Sequence, residues 1–488
     1  MSTTLSEVVK IKRQLYTAVA RLAWAGKLEE EIDSIPDQIL TNNEINYRCC
    51  EHKERAILKE KIRVILGLPA DQVSKHDPLH SLAATALKRA DTKHACALEM
   101  IAVACDRCPI DRYMITDACR NCGAHYCKNS CPKNAITIVN NRPYIDRNRC
   151  IECGRCASSC LFNAIVEITR PCEQACAVSA IKPDKEGIAQ INPDKCVGCG
   201  ACVNACPFGS IGDYTQIVPT INMLKQADYP VYALIAPSFV GQFGPKVDAG
   251  AVIAGLQQMG FHRVIEVAQG AETVAALEAA EYVERRQGGA ALMTTSCCPA
   301  FVAMIKKHYP DQQHYISHTP SPMIQLAAAI RAQEPNARLV FIGPCIAKKQ
   351  EAAAHPTIDA VLTFEEIACM LVAKGLNLAA VTSQLEPNDA GPLGRGFAKS
   401  GGVAEALLAH LSPDIAKPKV YQANGLQAAV AACDQLRAGQ LVADFIEGMA
   451  CEGGCIAGPG TLINPRVAEK LLDRFCAAAD ISKQATGN

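Results

Sequence analysis

Apolar side chains recur at helical spacing along the first hundred residues. Ile11, Leu15, Ala18 and Leu22 mark one face of an early helix. A second run, ERAILKEKIRVILG, stops at Gly67, which suits the residue just past a helix end. A third helix is expected to open at Asp77-Pro78, an N-cap followed by proline at the first helical position. From about 101 to 215 the periodicity gives way to short loops. From about 225 the apolar runs VYALIAP, RVIEVA, ALMTTS, ARLVFIGP and DAVLTF alternate with helical stretches such as TVAALEAAEYVERR. That alternation predicts an α/β domain with largely parallel sheets, whose sites form beyond the carboxyl ends of strands.

Composition sharpens this outline. Of 488 residues, 49 are Lys or Arg and 49 Asp or Glu, a formal charge of zero, so nucleic acid is not an expected partner. The opening MSTTLSEVVKIKRQ lacks an apolar signal core, and no uninterrupted apolar stretch reaches membrane-spanning length. A soluble, cytoplasmic protein with no membrane partner is expected. Cysteine changes the picture most. There are 27, and without a secretory signal such density points to metal before disulfides. Sixteen fall between Cys105 and Cys206. Cys49 and Cys50 lie outside that block and read as small buried residues.

Within the block, CKNSCPKNAI from Cys127, CASSCLFNAI from Cys156, CEQACAVSAI from Cys172 and CVNACPFGSI from Cys202 share one form, C-x3-C with a tail ending in isoleucine. This internal repeat predicts two ferredoxin-like units in tandem. A [4Fe–4S] cluster needs four thiolates, and in two-cluster ferredoxins the fourth cysteine of each run serves the neighbouring cluster. Crossing over assigns Cys119, Cys122, Cys127 and Cys160 to one cluster and Cys150, Cys153, Cys156 and Cys131 to another. Cys196, Cys199, Cys202 and Cys176 complete a third. The last half-repeat retains Cys172 and Cys206 but lacks its first two cysteines. The upstream pair Cys105 and Cys108, in ACDRCP, supplies a replacement and a fourth cluster.

Three later segments carry further candidate chemistry: TTSCCPAF (294–301), FIGPCIAKK (341–349) and EGMACEGGCIAGPG (447–460). The first two follow strands. Pro299 sits where a helix should begin, so a helix N-terminus would face the cysteines and favour anions. The glycines of the third would let backbone approach a cofactor closely. In this order the three segments resemble the signature motifs of [FeFe]-hydrogenases, over about 225–475. ACDRCPIDRY and the Gly-Pro before Cys345 are similar to the branch called group B.

The resemblance implies an H-cluster, a [4Fe–4S] cubane bridged by a cysteine to a diiron subsite carrying carbon monoxide, cyanide and azadithiolate. Cys298, Cys345 and Cys451 match the cubane ligands, and Cys455 matches the bridging cysteine. Cys297 matches the proton-exchanging thiol, and the family relay then runs through Glu278, Ser317 and Glu281. Glu278 and Glu281 are three apart on an expected helix, and Ser317 lies nineteen residues after Cys298. Lys348 matches the lysine that donates to a cyanide. Ala236, Pro237, Ser238 and Met449 match residues lining the diiron site. Gly343, Met323 and the GPG tail depart from the well-studied branch.

The expected chain is therefore an α+β multidomain protein. It has a helical N-terminal region (1–100), a ferredoxin-like two-cluster unit (101–168), a second such unit (169–220), an α/β H-cluster domain (225–475) and a tail (476–488). The implied activity is that of a ferredoxin hydrogenase, with H2 and protons as substrates, a ferredoxin or similar electron carrier, and maturation proteins for the diiron subsite. A hydrogen sensor or an iron–sulfur assembly relative is the alternative.

Overall fold

The computed structural model describes residues 5–43, 50–74, 76–89, 94–108, 112–226, 228–289, 292–381 and 390–485. The first helix, Glu7–Ala25, opens where Ser6 Oγ accepts the Val9 amide, and it buries Ile11, Leu15 and Val19. Helix Glu51–Ile65 ends as its sequence suggests: Gly67 takes φ +73°, and the Gly67 and Leu68 amides donate to the Val64 and Arg63 carbonyls. The third helix corrects the sequence reading. It spans Leu79–Lys88 with Pro78 before it, and Asp77 does not cap it. Asp77 accepts the Ser74 amide instead, while Asp33, from a neighbouring turn, accepts the Leu79 amide at 3.0 Å. A tertiary cap has replaced a local one. Cys50 is exposed at the start of its helix, against the expectation of burial, and Cys49 lies outside the described residues.

These helices share one core with the sheet of the C-terminal region: Leu15, Val19, Ile62 and Leu82 belong to the same buried cluster as Val231, Leu234, Val340 and Leu362. The first helix packs on helix Phe364–Ala373, where Arg13 pairs with Glu365 at 2.8 Å.

The cysteine-rich stretch is built from antiparallel strand pairs. In chain order the strands are β1 (Leu98–Met100), β2 (Tyr113–Ile115), β3 (Ile136–Val139), β4 (Arg142–Ile145), β5 (Ile165–Glu167), β6 (Ile181–Pro183), β7 (Ala189–Ile191) and β8 (Ile211–Asp213). They pair β1–β8, β2–β5, β3–β4 and β6–β7. The repeat has a physical meaning. The first cysteine of each C-x3-C lies on a short helical turn, Tyr126–Asn129, Arg155–Ser159, Pro171–Gln174 or Ala201–Ala205, and the second lies just past its end. Each closing isoleucine, at 136, 165, 181 and 211, begins a strand and is buried. Two residues before it, Asn134, Asn163, Ser179 and Gly209 all adopt positive φ, so the chain turns the same way four times.

Downstream, β9 (Val231–Ile235), β10 (Arg263–Glu266), β11 (Met293–Thr294), β12 (Arg338–Gly343) and β13 (Ala360–Thr363) coincide with the five apolar runs. Two further strands, β14 (Val420–Asn424) and β15 (Phe445–Met449), were not legible. In β15 a charged residue interrupts the apolar run, yet Glu447 is buried and accepts the amides of Gly401 and Ala404 at 2.7 and 3.0 Å. There are two parallel sheets, ordered β10-β9-β12-β13 and β11-β15-β14. Among the described residues no helix is long and apolar enough to cross a membrane.

Candidate iron–sulfur and catalytic site

Strands from both sheets end at one place. β9 runs into Ala236-Pro237-Ser238, β11 into Cys297-Cys298, β12 into Pro344-Cys345 and β15 into Ala450-Cys451. All of these residues, with Lys348, Met449 and Cys455, line one apolar cavity of about 90 Å³. Cys199 of the ferredoxin-like stretch lines it too. Pro299 opens helix Pro299–His308 as expected, with Cys298 immediately before it. Burial, reinforced by neighbouring thiols, pushes Cys345 up to about 12 and Cys455 up to about 11. Cys297 lies well above the ordinary thiol value for the same first reason, with Glu278 and Cys298 adding to it.

Lys348 is buried at the wall. Its ammonium donates to Glu351 Oε2 at 2.6 Å, Ser321 Oγ at 2.9 Å and the Cys297 carbonyl at 3.4 Å. Burial alone would lower its pKa, but Glu351 outweighs this and holds it above the usual lysine value. Glu351 and Ser321 escaped the sequence reading. The i,i+3 spacing from Lys348 to Glu351 was the available signal. Ser238 Oγ is buried and has no hydrogen-bond partner among the described residues.

The glycines of the third segment also serve packing. A Cβ on Gly454 would meet the Ser400 nitrogen at 2.6 Å, and one on Gly458 the Pro344 oxygen at 2.7 Å. They permit close approach of backbone to backbone, and both also line the cavity. At Gly343 the Phe341 ring lies 2.6 Å from where a Cβ would be, so that ring takes the space of a larger side chain. Met323 is fully buried and lines the cavity.

Glu278 and Glu281 lie on helix Ala268–Gln287, and their environments differ sharply. Glu278 is 0% exposed. Burial raises its pKa to about 7, although Ser296 donates to Oε1 through its amide and hydroxyl, both at 3.2 Å. Its Oε2 has no partner among the described residues. Glu281 is also partly buried, but Ser317 Oγ at 2.6 Å, the His318 amide at 2.9 Å and Arg285 at 2.6 Å outweigh that and hold it below the usual range. Ser317 donates to Glu281 and lies near enough to Glu278 to favour its charged form slightly. The structure thus places Cys297, Glu278, Ser317 and Glu281 next to one another in that order, and the exposed His318 lies beside the last. Ser296 and Thr319, whose hydroxyl donates to Glu281 at 3.2 Å, were missed because they carry no charge and no distinctive spacing.

The sixteen upstream cysteines fall into groups. Cys127 has Cys160, Cys122 and Cys119 as thiol neighbours. Cys156 has Cys150 and Cys131, and Cys153 lines the same small cavity as these three. Cys202 has Cys199 and Cys176, and Cys196 has Cys202. Cys108 has Cys105 and Cys206, and Cys172 has Cys206 and Cys108. In each repeat a backbone amide points at the last sulfur: Ala135 at Cys131, Ala164 at Cys160, Ala180 at Cys176 and Ser210 at Cys206, at 3.2 to 3.4 Å. Among the described residues no three His, Cys, Asp or Glu side chains are close enough to share one metal ion.

Comparison with known proteins follows the same division. Residues 229–459 match the family of iron-only hydrogenase large subunits, C-terminal domain. Residues 112–161 match a 4Fe-4S dicluster domain and 189–212 a 4Fe-4S binding domain. The chain is 28% identical over 409 residues to iron hydrogenase 1 of Clostridium pasteurianum, covering 70% of this chain and 69% of that protein. It is 28% identical over 274 residues to the periplasmic [Fe] hydrogenase large subunit of Nitratidesulfovibrio vulgaris, covering 46% of this chain and 65% of that one. A solved [FeFe]-hydrogenase structure from Chlamydomonas reinhardtii is similar with a TM-score of 0.43 at 22% identity, over 53% of this chain and 88% of that one. The C-terminal part of the chain thus matches the C-terminal domain of iron-only hydrogenase large subunits, and the chain as a whole is similar to members of that family.

Proposed function

We propose that this chain catalyses 2H⁺ + 2e⁻ ⇌ H2 at an H-cluster, with electrons relayed by four accessory [4Fe–4S] clusters. The observation that carries the reading is the meeting, in one buried cavity, of six cysteine side chains and a buried ammonium, with the Glu278 carboxyl behind Cys297. The residues fit the cofactor. Cys298, Cys345 and Cys451 would hold the cubane and Cys455 would bridge to the diiron subsite. Lys348 and the unpartnered Ser238 hydroxyl offer donors to its anionic ligands. Bound there, the cofactor would supply the redox centre at which protons and electrons combine.

The chain's own residues do the rest. Cys297 keeps its proton because burial and adjacent negative charge disfavour a thiolate. Glu278, with a pKa of about 7, can hold or release a proton near neutrality. Ser317 donates to Glu281, which stands at the outer end beside His318. Ala236, Pro237 and Met449 wall the cavity with apolar surface that excludes water.

The accessory clusters take the four groups given by the repeat, with Cys105, Cys108, Cys172 and Cys206 as the fourth. A ferredoxin-type carrier is the partner, maturation proteins supply the diiron subsite, and the compartment is the cytoplasm. The motifs ACDRCPIDRY and Gly343-Pro344 favour the group B branch. Infrared spectroscopy of the matured protein under dihydrogen tests the reading. Carbonyl and cyanide bands with viologen-driven turnover are expected. Bands without turnover would indicate a sensor, and absent bands an assembly relative.

A further inference from the structure

The first ferredoxin-like unit forms the outer end of the thiol chain. Cys199 neighbours Cys298, and Cys202 neighbours Cys172, so the second unit abuts the catalytic cavity. The thiols that act on Cys127 are those of its own group. In the same unit the β3–β4 hairpin turns through Asn140 and Asn141, both at positive φ. Val139 and Tyr144 are each 56% exposed. Between them and residues 115–119 runs a groove of about 490 Å³, walled by Ile115, Val139, Pro143 and Tyr144 and reaching Cys119. An exposed groove with apolar walls marks a candidate interaction site.

The charge of the segment that carries it is mostly basic. Between residues 116 and 149 the basic side chains are Arg120, Lys128, Lys133, Arg142, Arg147 and Arg149, and every one is exposed. The acidic ones are Asp117 and Asp146. This segment is net +4 in a chain whose formal charge is zero. Arg142 and Asp117, both lining the groove, pair at 3.0 Å but remain 75% and 89% exposed, so the pair is readily exchanged for contacts with a partner. A small apolar centre in a basic field suits a transient, electrostatically steered complex with a negatively charged protein.

Building on the proposed hydrogenase activity, we propose that this groove and its basic rim are the docking face for a small acidic iron–sulfur electron carrier. The carrier would exchange one electron per encounter with the cluster held by Cys119, Cys122, Cys127 and Cys160. One centre is oxidised as the other is reduced, and no bond is made or broken.

Calorimetric binding of an acidic bacterial two-[4Fe–4S] ferredoxin to the holoenzyme tests this. Two double variants address groove and rim separately: Val139→Asp with Tyr144→Asp, and Lys133→Glu with Arg147→Glu. Each should raise Kd at least about tenfold, and unaltered protein should bind several-fold more weakly at about 300 mM than at about 50 mM salt. Iron content and viologen-driven turnover should stay within roughly twofold of the unaltered protein, and Lys470→Glu, on another surface, should leave Kd unchanged. Unchanged affinity in both double variants, or a complex indifferent to salt, overturns the docking face. Absence of viologen turnover in unaltered protein would instead count against the hydrogenase reading, and the binding comparison would still decide the docking face.

Discussion

The first ferredoxin-like unit and the C-terminal cavity both gather cysteines, but by opposite means. In the first unit each group comes from two short loops within about forty residues. Its cysteines are mostly half-buried, and Cys153 is exposed. In the cavity the thiols come from three segments between Cys297 and Cys455, brought together by the ends of two parallel sheets. Local loops suffice to hold a cluster that must exchange electrons with the outside. A site that must keep protons and exclude water needs the seclusion that only a packed domain supplies. Glu278 and Glu281 repeat the contrast on one helix: three residues apart, one is raised to about 7 by burial and the other is held low by Ser317, His318 and Arg285.

The largest expected effect lies on the buried side of this comparison. Cys297→Ala keeps approximate size but removes the transferable proton. Turnover should fall at least about a hundredfold while carbonyl and cyanide bands persist. Near-normal turnover with a fully loaded cofactor would show another proton route, and the relay through Glu278, Ser317 and Glu281 would fall with it.

Glu278→Gln should lower turnover by roughly tenfold or more. Because its pKa is raised to about 7, the folded protein holds this proton at pH 5.5 and releases it by pH 8.5. Infrared difference spectra should show a protonated carboxyl band that disappears across that interval and is missing from the variant. A band already lost near pH 5 would mean that burial does not control this group.

Cys199→Ser probes the boundary between the two regions, since Cys199 neighbours Cys298 and lines the cavity. Turnover through a ferredoxin should fall several-fold more than turnover driven by dithionite and viologen. Equal loss with every donor, and an empty catalytic site, would make the residue structural. At the cluster shared with Cys172 and Cys206, Cys105→Ser with Cys108→Ser should remove about four of about 22 irons per chain and leave the infrared bands unchanged. Unaltered iron would remove the fourth cluster. The smallest effect is local: Gly67→Ala forces a side chain onto a left-handed backbone and should cost about 1 kcal/mol, read as a lower thermal midpoint with full activity.

The repeat explains why the ferredoxin-like units were legible. Four copies of one spacing fix four turns, four strand starts and four N–H···S contacts, because each lies within ten residues of sequence. The strands β9 to β13 were legible for a related reason, as apolar runs long enough to show. The strand carrying Glu447 was not, since its charge is satisfied by amides some forty residues away. The cap on Leu79 was misread likewise, because Asp33 is near it only in space.

Sequence alone determined the types and spacing of the sulfur ligands, the helix–strand alternation and the helix face shared by Glu278 and Glu281, because each depends on neighbours along the chain. Tertiary structure alone decided that Glu278 is buried while Glu281 is held ionised, that Lys348 is clamped by Glu351 and Ser321, and that Gly454 and Gly458 pack against the backbone of Ser400 and Pro344. It also decided that the N-terminal helices share the core of the C-terminal sheet. Burial, field and close packing are set by atoms distant in sequence, and spacing carries no record of them.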